Sequence, residues 1–299
     1  MTTTMKMTTA TSDAPAEASA MPQDSGRVHR LRRLLGAVAD GLDTAIDASK
    51  PYVDGLEHLP ADGRFLLVGN HTQFGAAEIL LIPYVVRRAI GTRVRSLADR
   101  GMRHFRGLQA DLMAAFGGII GTPDNARELM HANETILVFP GGGREMAKFH
   151  GEEYTLRWQN RFGFARLAVE NDYPIVTVGL VGGDDVYRSV TSRDGWWGRF
   201  SQAVSRQITG RTDMAMPLMH GVGPTLIPRP QRMYLRFGAP IDTSKPAAVS
   251  VDDWVKTIKA RAQAELEQTL SELQQLRDTD PYRELAPWAW RSAVMPTAR

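Results

Sequence analysis

Short β-rich runs alternate with helical segments from about residue 60 onward, and this alternation restricts the chain to very few architectures. The β-rich runs lie at 65–68, 94–97, 119–121, 135–139, 175–181 and 233–237, and helical spacing fills 77–90, 102–115 and 124–132. Strands separated by helices are typical of sheets whose strands run mostly parallel. The sequence therefore predicts an α/β fold with a mixed, largely parallel sheet flanked by helices.

The chain divides into segments of different composition. Residues 1–26 are rich in Thr, Ala, Ser and Pro and are predicted to form a disordered tail. Residues 27–50 are predicted to form a basic amphipathic helix, residues 51–245 the main domain, and residues 246–299 a C-terminal helix and a Trp-containing tail that pack on it. The arginines that begin the 27–50 segment could lie on an anionic membrane surface or face water beside the domain.

Composition excludes several classes of site and partner. The 299 residues include no cysteine, which excludes disulfides, thiolate metal sites and cysteine nucleophiles. No two of the seven histidines have the spacing of a zinc-binding helix, so no metal is expected. A net charge of +3 is too small for a nucleic-acid-binding surface, and it fits anionic lipid and coenzyme A equally well. No apolar run approaches the roughly 20 residues that a transmembrane helix needs.

The first candidate site is Gly69-Asn70-His71-Thr72, directly after the predicted strand at 65–68. Open α/β sheets place reactive groups at the carboxyl ends of their strands, where helices begin. An imidazole at this point could accept the proton of an attacking alcohol. A lone histidine is more often structural, so this motif by itself does not establish a catalytic site.

The second candidate site is Phe139-Pro140-Gly141-Gly142-Gly143-Arg144-Glu145, at the end of the predicted strand 135–139. Consecutive glycines allow backbone amides to approach a ligand closely, and the Arg144 guanidinium could bind a phosphate or a carboxylate. The plainer interpretation is a tight turn in which Arg144 pairs with Glu145 or Glu152. The segment matches neither the P-loop nor the dinucleotide-binding pattern.

The order and spacing of the two motifs resemble the lysophospholipid and glycerol-3-phosphate acyltransferase superfamily. That superfamily carries Asn-His with an acid downstream, a glycine-containing strand segment, Phe-Pro-Glu-Gly-x-Arg and a Val-Pro-Ile-like strand. Their counterparts here are Asn70-His71, 116–121, Phe139 to Arg144 and Pro174-Ile175-Val176. The glycine turn, Gly151-Glu152-Glu153-Tyr154 and Gly182-Gly183-Asp184-Asp185 resemble in particular the diacylglycerol acyltransferase-like branch, which includes plant phytyl ester synthases. The similarity extends over about residues 52–242.

The resemblance implies a glycerolipid acyltransferase-like fold and assigns roles to residues of this chain. It implies that His71 is the catalytic base. It places substrate binding in the two motifs, at Asn70, Thr72, Phe139, Pro140, Gly141, Gly142, Gly143, Arg144 and Glu145.

Two positions depart from the superfamily pattern. Gly75 and Ala76 stand where an aspartate would orient the imidazole, and the first acid after His71 is Glu78. Seven residues correspond to about two helical turns, so Glu78 is the expected catalytic partner of His71, unless it is only a solvated charge in the first turn of the helix. Gly141 stands where phosphate-directed relatives have Glu, which favours a neutral acceptor such as diacylglycerol over lysophosphatidate.

The resemblance implies transfer of a fatty acyl group from acyl-CoA, a co-substrate, to a lipid hydroxyl, with no bound cofactor. Two alternatives stay open. One is a lipid esterase or thioesterase in which His71 activates water, although the chain has no Gly-x-Ser-x-Gly nucleophile motif. The other is a catalytically weak, membrane-peripheral lipid-binding protein. Lipid substrates favour peripheral attachment at the cytoplasmic face of a membrane, and nothing in the sequence indicates an oligomeric state.

Overall fold

The computed structural model describes residues 44, 46, 47, 49–98, 118–210, 212 and 215–285. The tail predicted at 1–26, most of the basic helix predicted at 27–50, the helix predicted at 102–115 and the Trp-containing end of the chain lie outside the described residues.

The strands of the described residues form one large sheet and one small two-stranded sheet. In chain order they are β1 (Tyr52–Asp54), β2 (Leu66–Gly69), β3 (Val94–Ala98), β4 (Gly118–Ile120), β5 (Thr135–Val138), β6 (Ile175–Val181), β7 (Arg188–Ser189), β8 (Met219–His220) and β9 (Tyr234–Phe237). The large sheet has the order β1-β9-β6-β2-β5-β3-β4, and β7 pairs with β8. Within the large sheet all neighbours are parallel except β6 and β9. The predicted mixed, largely parallel α/β sheet is confirmed.

Helices cover both faces of this sheet. They are α1 (Ala76–Ile90), α2 (Pro123–His131), α3 (Gly143–Met146), α4 (Gly163–Glu170), α5 (Trp196–Thr209) and α6 (Val251–Thr279). One apolar core lies between the sheet and α1, and the other lies between the sheet and α2, α4 and α6. No helix in the described ranges is long and apolar enough to cross a bilayer.

The burial of strand β2 explains its uninterrupted apolar sequence. All of its residues are buried, with Leu66 and Val68 in the α6-side core and Leu67 in the α1-side core. A parallel strand that is covered by helices on both faces is apolar throughout, without the alternation of a half-exposed strand. The apolar run at 65–68 is therefore the signal of a central strand.

The C-terminal helix α6 is capped at its N-terminus by Ser250. Ser250 Oγ accepts a hydrogen bond from the Asp253 backbone N–H at 3.2 Å. Its buried residues follow helical spacing and pack on the sheet: Val255, Ile258, Ala262, Leu266, Thr269, Leu270 and Leu273. The contact with β6 is close, because a Cβ on Gly179 would lie 2.7 Å from Thr269 Cγ2.

The topology gathers three loops at one edge of the sheet. Strands β2, β5 and β6 are adjacent and parallel, so their carboxyl ends meet at that edge. The loop at 70–75 follows β2, the glycine turn at 139–142 follows β5, and the loop at 182–187 follows β6. Both sequence motifs therefore lie where open α/β sheets hold their ligands.

Candidate active site

The loop after β2 is fixed to the neighbouring strand by Asn70. The Asn70 side chain donates from Nδ2 to the Leu180 carbonyl at 3.0 Å and accepts from the Leu180 N–H at 2.9 Å through Oδ1. The residue is buried. Asn70 thus holds the loop in place through the backbone of β6, and its predicted contact with substrate stays a prediction.

His71 and Glu78 form a buried pair. His71 Nδ1 is hydrogen-bonded to Glu78 Oε1, and the same carboxylate accepts from the Thr72 backbone N–H at 2.7 Å and from the Thr72 hydroxyl. Glu78 is fully buried, whereas 10% of the His71 side chain is exposed. Glu78 is therefore not a solvated charge of the first helical turn but the partner of the imidazole.

The charge state of Glu78 determines the tautomer of His71. Burial alone would raise the pKa of Glu78, but hydrogen bonds from His71 and Thr72 outweigh burial and lower that pKa below its usual value. An ionised carboxylate only accepts hydrogen bonds, so the His71 Nδ1 atom that contacts it must carry a proton. The proton on Nδ1 leaves Nε2 of a neutral imidazole as the proton acceptor.

The glycine turn lies directly against the imidazole. The Phe139 ring stacks on the His71 ring with centroids 4.5 Å apart and an interplanar angle of 17°. Gly142 has φ +54° and ψ −146°, a conformation that is open essentially to glycine alone. Arg161 Nη1 donates to the carbonyls of Pro140 at 2.9 Å and Gly141 at 3.2 Å, and so fixes the turn from outside.

Glu145 joins the two motifs. One carboxylate oxygen, Oε2, accepts from the His71 backbone N–H at 2.9 Å, and the other accepts from the Arg157 backbone N–H at 2.7 Å. Burial raises the pKa of Glu145 above its usual value, against the effect of these two hydrogen bonds. The two acids next to His71 thus have pKa values displaced in opposite directions, an arrangement common at catalytic sites.

Gly141 is required by Glu145. A Cβ at position 141 would lie 2.1 Å from the Glu145 carboxyl group. The carboxyl of Glu145 therefore occupies the space into which a side chain at position 141 would project. The departure from the superfamily pattern at Gly141 is thus coupled to the acid four residues later.

Arg144 is half-buried at the outer side of the turn, where its Nη1 donates to Gln159 Oε1 at 2.6 Å. Glu152 binds Arg193, with Oε1 at 2.7 Å from Nε, and also contacts Arg157. Burial would raise the pKa of Glu152, but these arginines outweigh burial and lower that pKa to about 2. Substrate binding by Arg144 stays a prediction.

A second buried network supports the loop that carries His71. Lys148 Nζ lies 2.6 Å from Asp184 Oδ2, and both side chains are almost fully buried. Asp184 also accepts from the backbone N–H groups of Gln73 and Tyr154, both at 2.8 Å. Asp184 therefore connects the loops after β2 and β6, and Lys148 neutralises it; in the sequence only the Gly-Gly-Asp-Asp segment at 182–185 pointed to this network.

Gly75 provides a test of how closely the imidazole is held. Its φ is +67°, and a Cβ there would lie 2.4 Å from His71 Cε1. Gly75→Ala is expected to displace the ring and to lower activity about 100-fold, because misplacement of a catalytic group by about 1 Å has that effect. Steady-state rates on any accepted substrate pair would measure the loss.

The matched control is Gly91→Ala. Gly91 has φ +73° but nothing within 4 Å of the added Cβ. Both variants should lose about 1–2 kcal/mol of stability from the left-handed backbone, whereas only Gly75→Ala should lose activity. Equal activity in the two variants would show that the contact between Gly75 and His71 has no catalytic importance.

Comparison with known proteins finds similarity to acyltransferases. The family model described as Acyltransferase matches residues 50–181. Phytyl ester synthase 2, chloroplastic, of Arabidopsis thaliana is 30% identical over 258 residues, which are 79% of this chain and 36% of that protein. Phytyl ester synthase 1, chloroplastic, of the same plant is 27% identical over an alignment of 299 positions, which covers 89% of this chain and 40% of that protein. The chain thus spans less than half the length of these two relatives.

The crystal structure of the 1-acyl-sn-glycerophosphate acyltransferase PlsC from Thermotoga maritima superimposes with a TM-score of 0.44 at 16% identity, over 84% of each chain. The family match covers the strands β2, β5 and β6, with both motifs at their ends. Over the residues that carry both motifs this chain matches the Acyltransferase family, and over most of its length it is similar to the phytyl ester synthases.

Proposed function

We propose that the protein is an acyltransferase that moves a fatty acyl group from acyl-CoA to the hydroxyl of a neutral lipid, with His71 as general base. The observation that carries the proposal is the His71–Glu78 pair, held at the carboxyl end of β2 and stacked against the glycine turn. The match of residues 50–181 to the Acyltransferase family supports an acyl-transfer reaction.

The chemistry follows from the tautomer of His71. Nε2 accepts the proton of the acceptor hydroxyl while the hydroxyl oxygen attacks the thioester carbonyl. The carbon–sulfur bond then breaks, and the imidazolium returns its proton to the departing thiolate of coenzyme A. Glu78 stabilises the imidazolium and keeps the ring oriented throughout. No covalent acyl-enzyme is required.

The glycine turn is proposed to stabilise the negative charge that develops on the thioester oxygen. Backbone N–H groups are effective donors there because they are already fixed before the reaction starts. The turn is held in place before substrate binds, because Arg161 donates to its carbonyls and the Gly142 N–H donates to the Phe139 carbonyl at 3.0 Å. Arg144, at the half-buried rim, is proposed to contact the phosphates of coenzyme A.

A neutral acceptor is supported by two observations. Position 141 offers no carboxylate of its own, and its space is filled by Glu145, whose oxygens are engaged by the backbone of His71 and Arg157. The phytyl ester synthases are named for esters of a long-chain alcohol. We therefore favour diacylglycerol or a long-chain alcohol over lysophosphatidate, with the protein acting peripherally at the cytoplasmic face of a membrane.

A panel of acceptors tests the substrate class. One long-chain acyl-CoA would be offered with diacylglycerol, a long-chain alcohol, lysophosphatidate or glycerol 3-phosphate, and the products would be resolved by thin-layer chromatography. The expected result is ester formation with a neutral acceptor at a rate at least about tenfold above that with either phosphate ester. Faster esterification of lysophosphatidate would contradict the acceptor assignment, and free fatty acid as the sole product would indicate a hydrolase.

A further inference from the structure

Helix α5 turns its apolar side away from the protein. Trp196, Phe200, Val204 and Ile208 follow at intervals of four residues and are all exposed, Trp196 by 76% and Ile208 by 77%. Residues four apart lie on one face of a helix. The helix thus presents a continuous apolar stripe outward, whereas a surface helix normally buries such a stripe against the core.

The inner side of α5 carries small and hydrogen-bonding residues instead. Ser201 Oγ donates to the Met216 carbonyl at 2.9 Å and accepts from the Met216 N–H at 2.8 Å. Gln202 Nε2 donates to the Arg193 carbonyl at 3.0 Å, and a Cβ on Gly198 would lie 2.1 Å from that same carbonyl oxygen. These contacts fix the rotation of α5 about its own axis, so the fold itself turns the apolar stripe outward.

Further exposed apolar side chains lie on the segments before and after α5 along the chain. They are Val190, just after β7, Met216 and Leu218, just before β8, and Val222, Leu226 and Ile227 in the loop after β8. The segments are bonded to one another, since Val190 N–H donates to the Leu218 carbonyl at 2.8 Å. We call these six residues and the four of the α5 stripe the apolar surface. Single exposed apolar residues are ordinary, but a group of this size marks an interaction site.

The charge around the apolar surface favours an anionic partner. Residues 188–229 contain six arginines and two aspartates, and two of these arginines, Arg193 and Arg229, pair with Glu152 and Glu284. Arg199 and Arg206 are exposed on α5, and this helix contains no acidic residue. Apolar and aromatic side chains beside arginines are the composition of helices that lie in the interface of an anionic bilayer.

The apolar surface is connected to both loops of the active site. Gln73, two residues after His71, donates from Nε2 to Ser189 Oγ of β7 at 3.1 Å. Arg193 Nη2 donates to the Ala147 carbonyl, just beyond α3, at 2.9 Å. A surface that rests on lipid through α5 would therefore hold the imidazole near the same lipid.

We infer that the apolar surface docks the protein onto an anionic lipid bilayer, with α5 lying in the interface and the active site beside it. The inference deepens the proposed function, on which it rests for the presence of lipid substrate. It assigns membrane attachment to a part of the sequence other than the basic segment 27–50.

Vesicle flotation tests the docking surface. The full chain would be mixed with vesicles of phosphatidylcholine, with or without about one quarter phosphatidylglycerol. Trp196→Gln/Ile208→Gln is expected to weaken binding to the anionic vesicles at least about tenfold, because two large apolar contacts with the bilayer are lost. The matched control is Val251→Gln/Tyr282→Gln, which changes two apolar residues with 41% and 44% exposure elsewhere and should bind as wild type.

Charge is tested separately from apolar contact. Arg199→Gln/Arg206→Gln should bind pure phosphatidylcholine as wild type does and should lose part of the preference for phosphatidylglycerol. High salt should reduce that preference in the wild type in the same way. A variant that keeps the full preference would overturn the role of these arginines.

Three results would overturn the docking inference. Unchanged flotation of Trp196→Gln/Ile208→Gln is the first. The second is a wild-type dimer that this variant converts to monomer in light scattering, which would mean that a second copy covers the surface. The third is a clear loss of thermal stability in the variant, which would mean that another part of the chain covers it.

Failure of docking and failure of the proposed function are distinguishable. His71→Ala should float with vesicles as wild type does. If the wild type binds vesicles through Trp196 and Ile208 but forms no ester with any acceptor, docking stands and the transferase proposal fails. If the wild type transfers acyl groups but substitution of these two residues leaves flotation unchanged, the transferase proposal stands and the docking inference fails.

Discussion

Replacing His71 by alanine is expected to lower the rate of acyl transfer by about 10³-fold, which is within the range for loss of a general base. The substitution removes the imidazole that accepts the proton, which is held by Glu78 and lies against Phe139. Initial rates with saturating acyl-CoA and acceptor measure the loss. His150→Ala, which removes an exposed histidine, should leave the rate unchanged.

Glu78→Gln should lower the same rate by at least about 100-fold while the protein stays folded. An amide at position 78 can present its N–H group to Nδ1, which would move the imidazole proton to Nε2 and remove the acceptor that the reaction needs. Glu57→Gln, at a 74% exposed side chain, is the control. A Glu78→Gln enzyme with full activity would mean that the carboxylate does not set the tautomer.

The largest effect on stability is expected from Lys148→Met, which leaves Asp184 buried without its cation. Removing one partner of a buried ion pair typically costs about 3–5 kcal/mol. The free energy of unfolding from urea denaturation would measure it, and activity should fall as well because Asp184 also holds the Gln73 N–H.

Lys256→Met is the matched control for Lys148→Met. Lys256 pairs with Asp253 at 3.0 Å, but both side chains are 65% exposed, so the same substitution should cost less than about 1 kcal/mol. The double variant Lys148→Met/Asp184→Leu should not recover wild-type stability, because the N–H groups of Gln73 and Tyr154 would lose their acceptor. Equal stability of Lys148→Met and Lys256→Met would contradict the structural role of the buried pair.

Much of the fold could be predicted because the strands that matter are short, apolar and buried on both faces. Strand β6 was predicted at its observed bounds, 175–181, and the other five predicted strands to within one residue at each end. The antiparallel pairing of β9 with β6 could not be predicted, since strand direction depends on how the chain returns from a distant segment. Strand β1 has three residues, and β7 and β8 have two each. These strands are too short to show a periodic pattern of apolar residues in the sequence.

Helix α5 was missed for a physical reason. Its apolar residues recur every four positions, but they face outward, and small polar residues take the inner side. A search for core-facing helices gives no reason to choose such a segment. The outward-facing apolar stripe that prevented the prediction of this helix also makes it the candidate membrane surface.

The contact between His71 and Glu78 was predicted, but on incomplete reasoning. The spacing of seven residues suggested two turns of one helix, whereas α1 begins only at Ala76 and a short 3-10 turn at Gln73–Gly75 comes before it. The loop, with its left-handed Gly75, brings Glu78 to the imidazole. The roles of Glu145 and of the Lys148–Asp184 pair could not be predicted, because their partners lie 74 and 36 residues away along the chain.

The most direct test of the central claim follows coenzyme A release and acyl product together. Purified wild-type protein would be given radiolabelled acyl-CoA with and without diacylglycerol or a long-chain alcohol, and free thiol and labelled lipid would be quantified in the same samples. Direct transfer by His71 predicts that thiol appears only when an acceptor is present, in equal amount to new ester, and that neither appears with His71→Ala. Thiol and free fatty acid released without acceptor, or ester formed at full rate by His71→Ala, would contradict it.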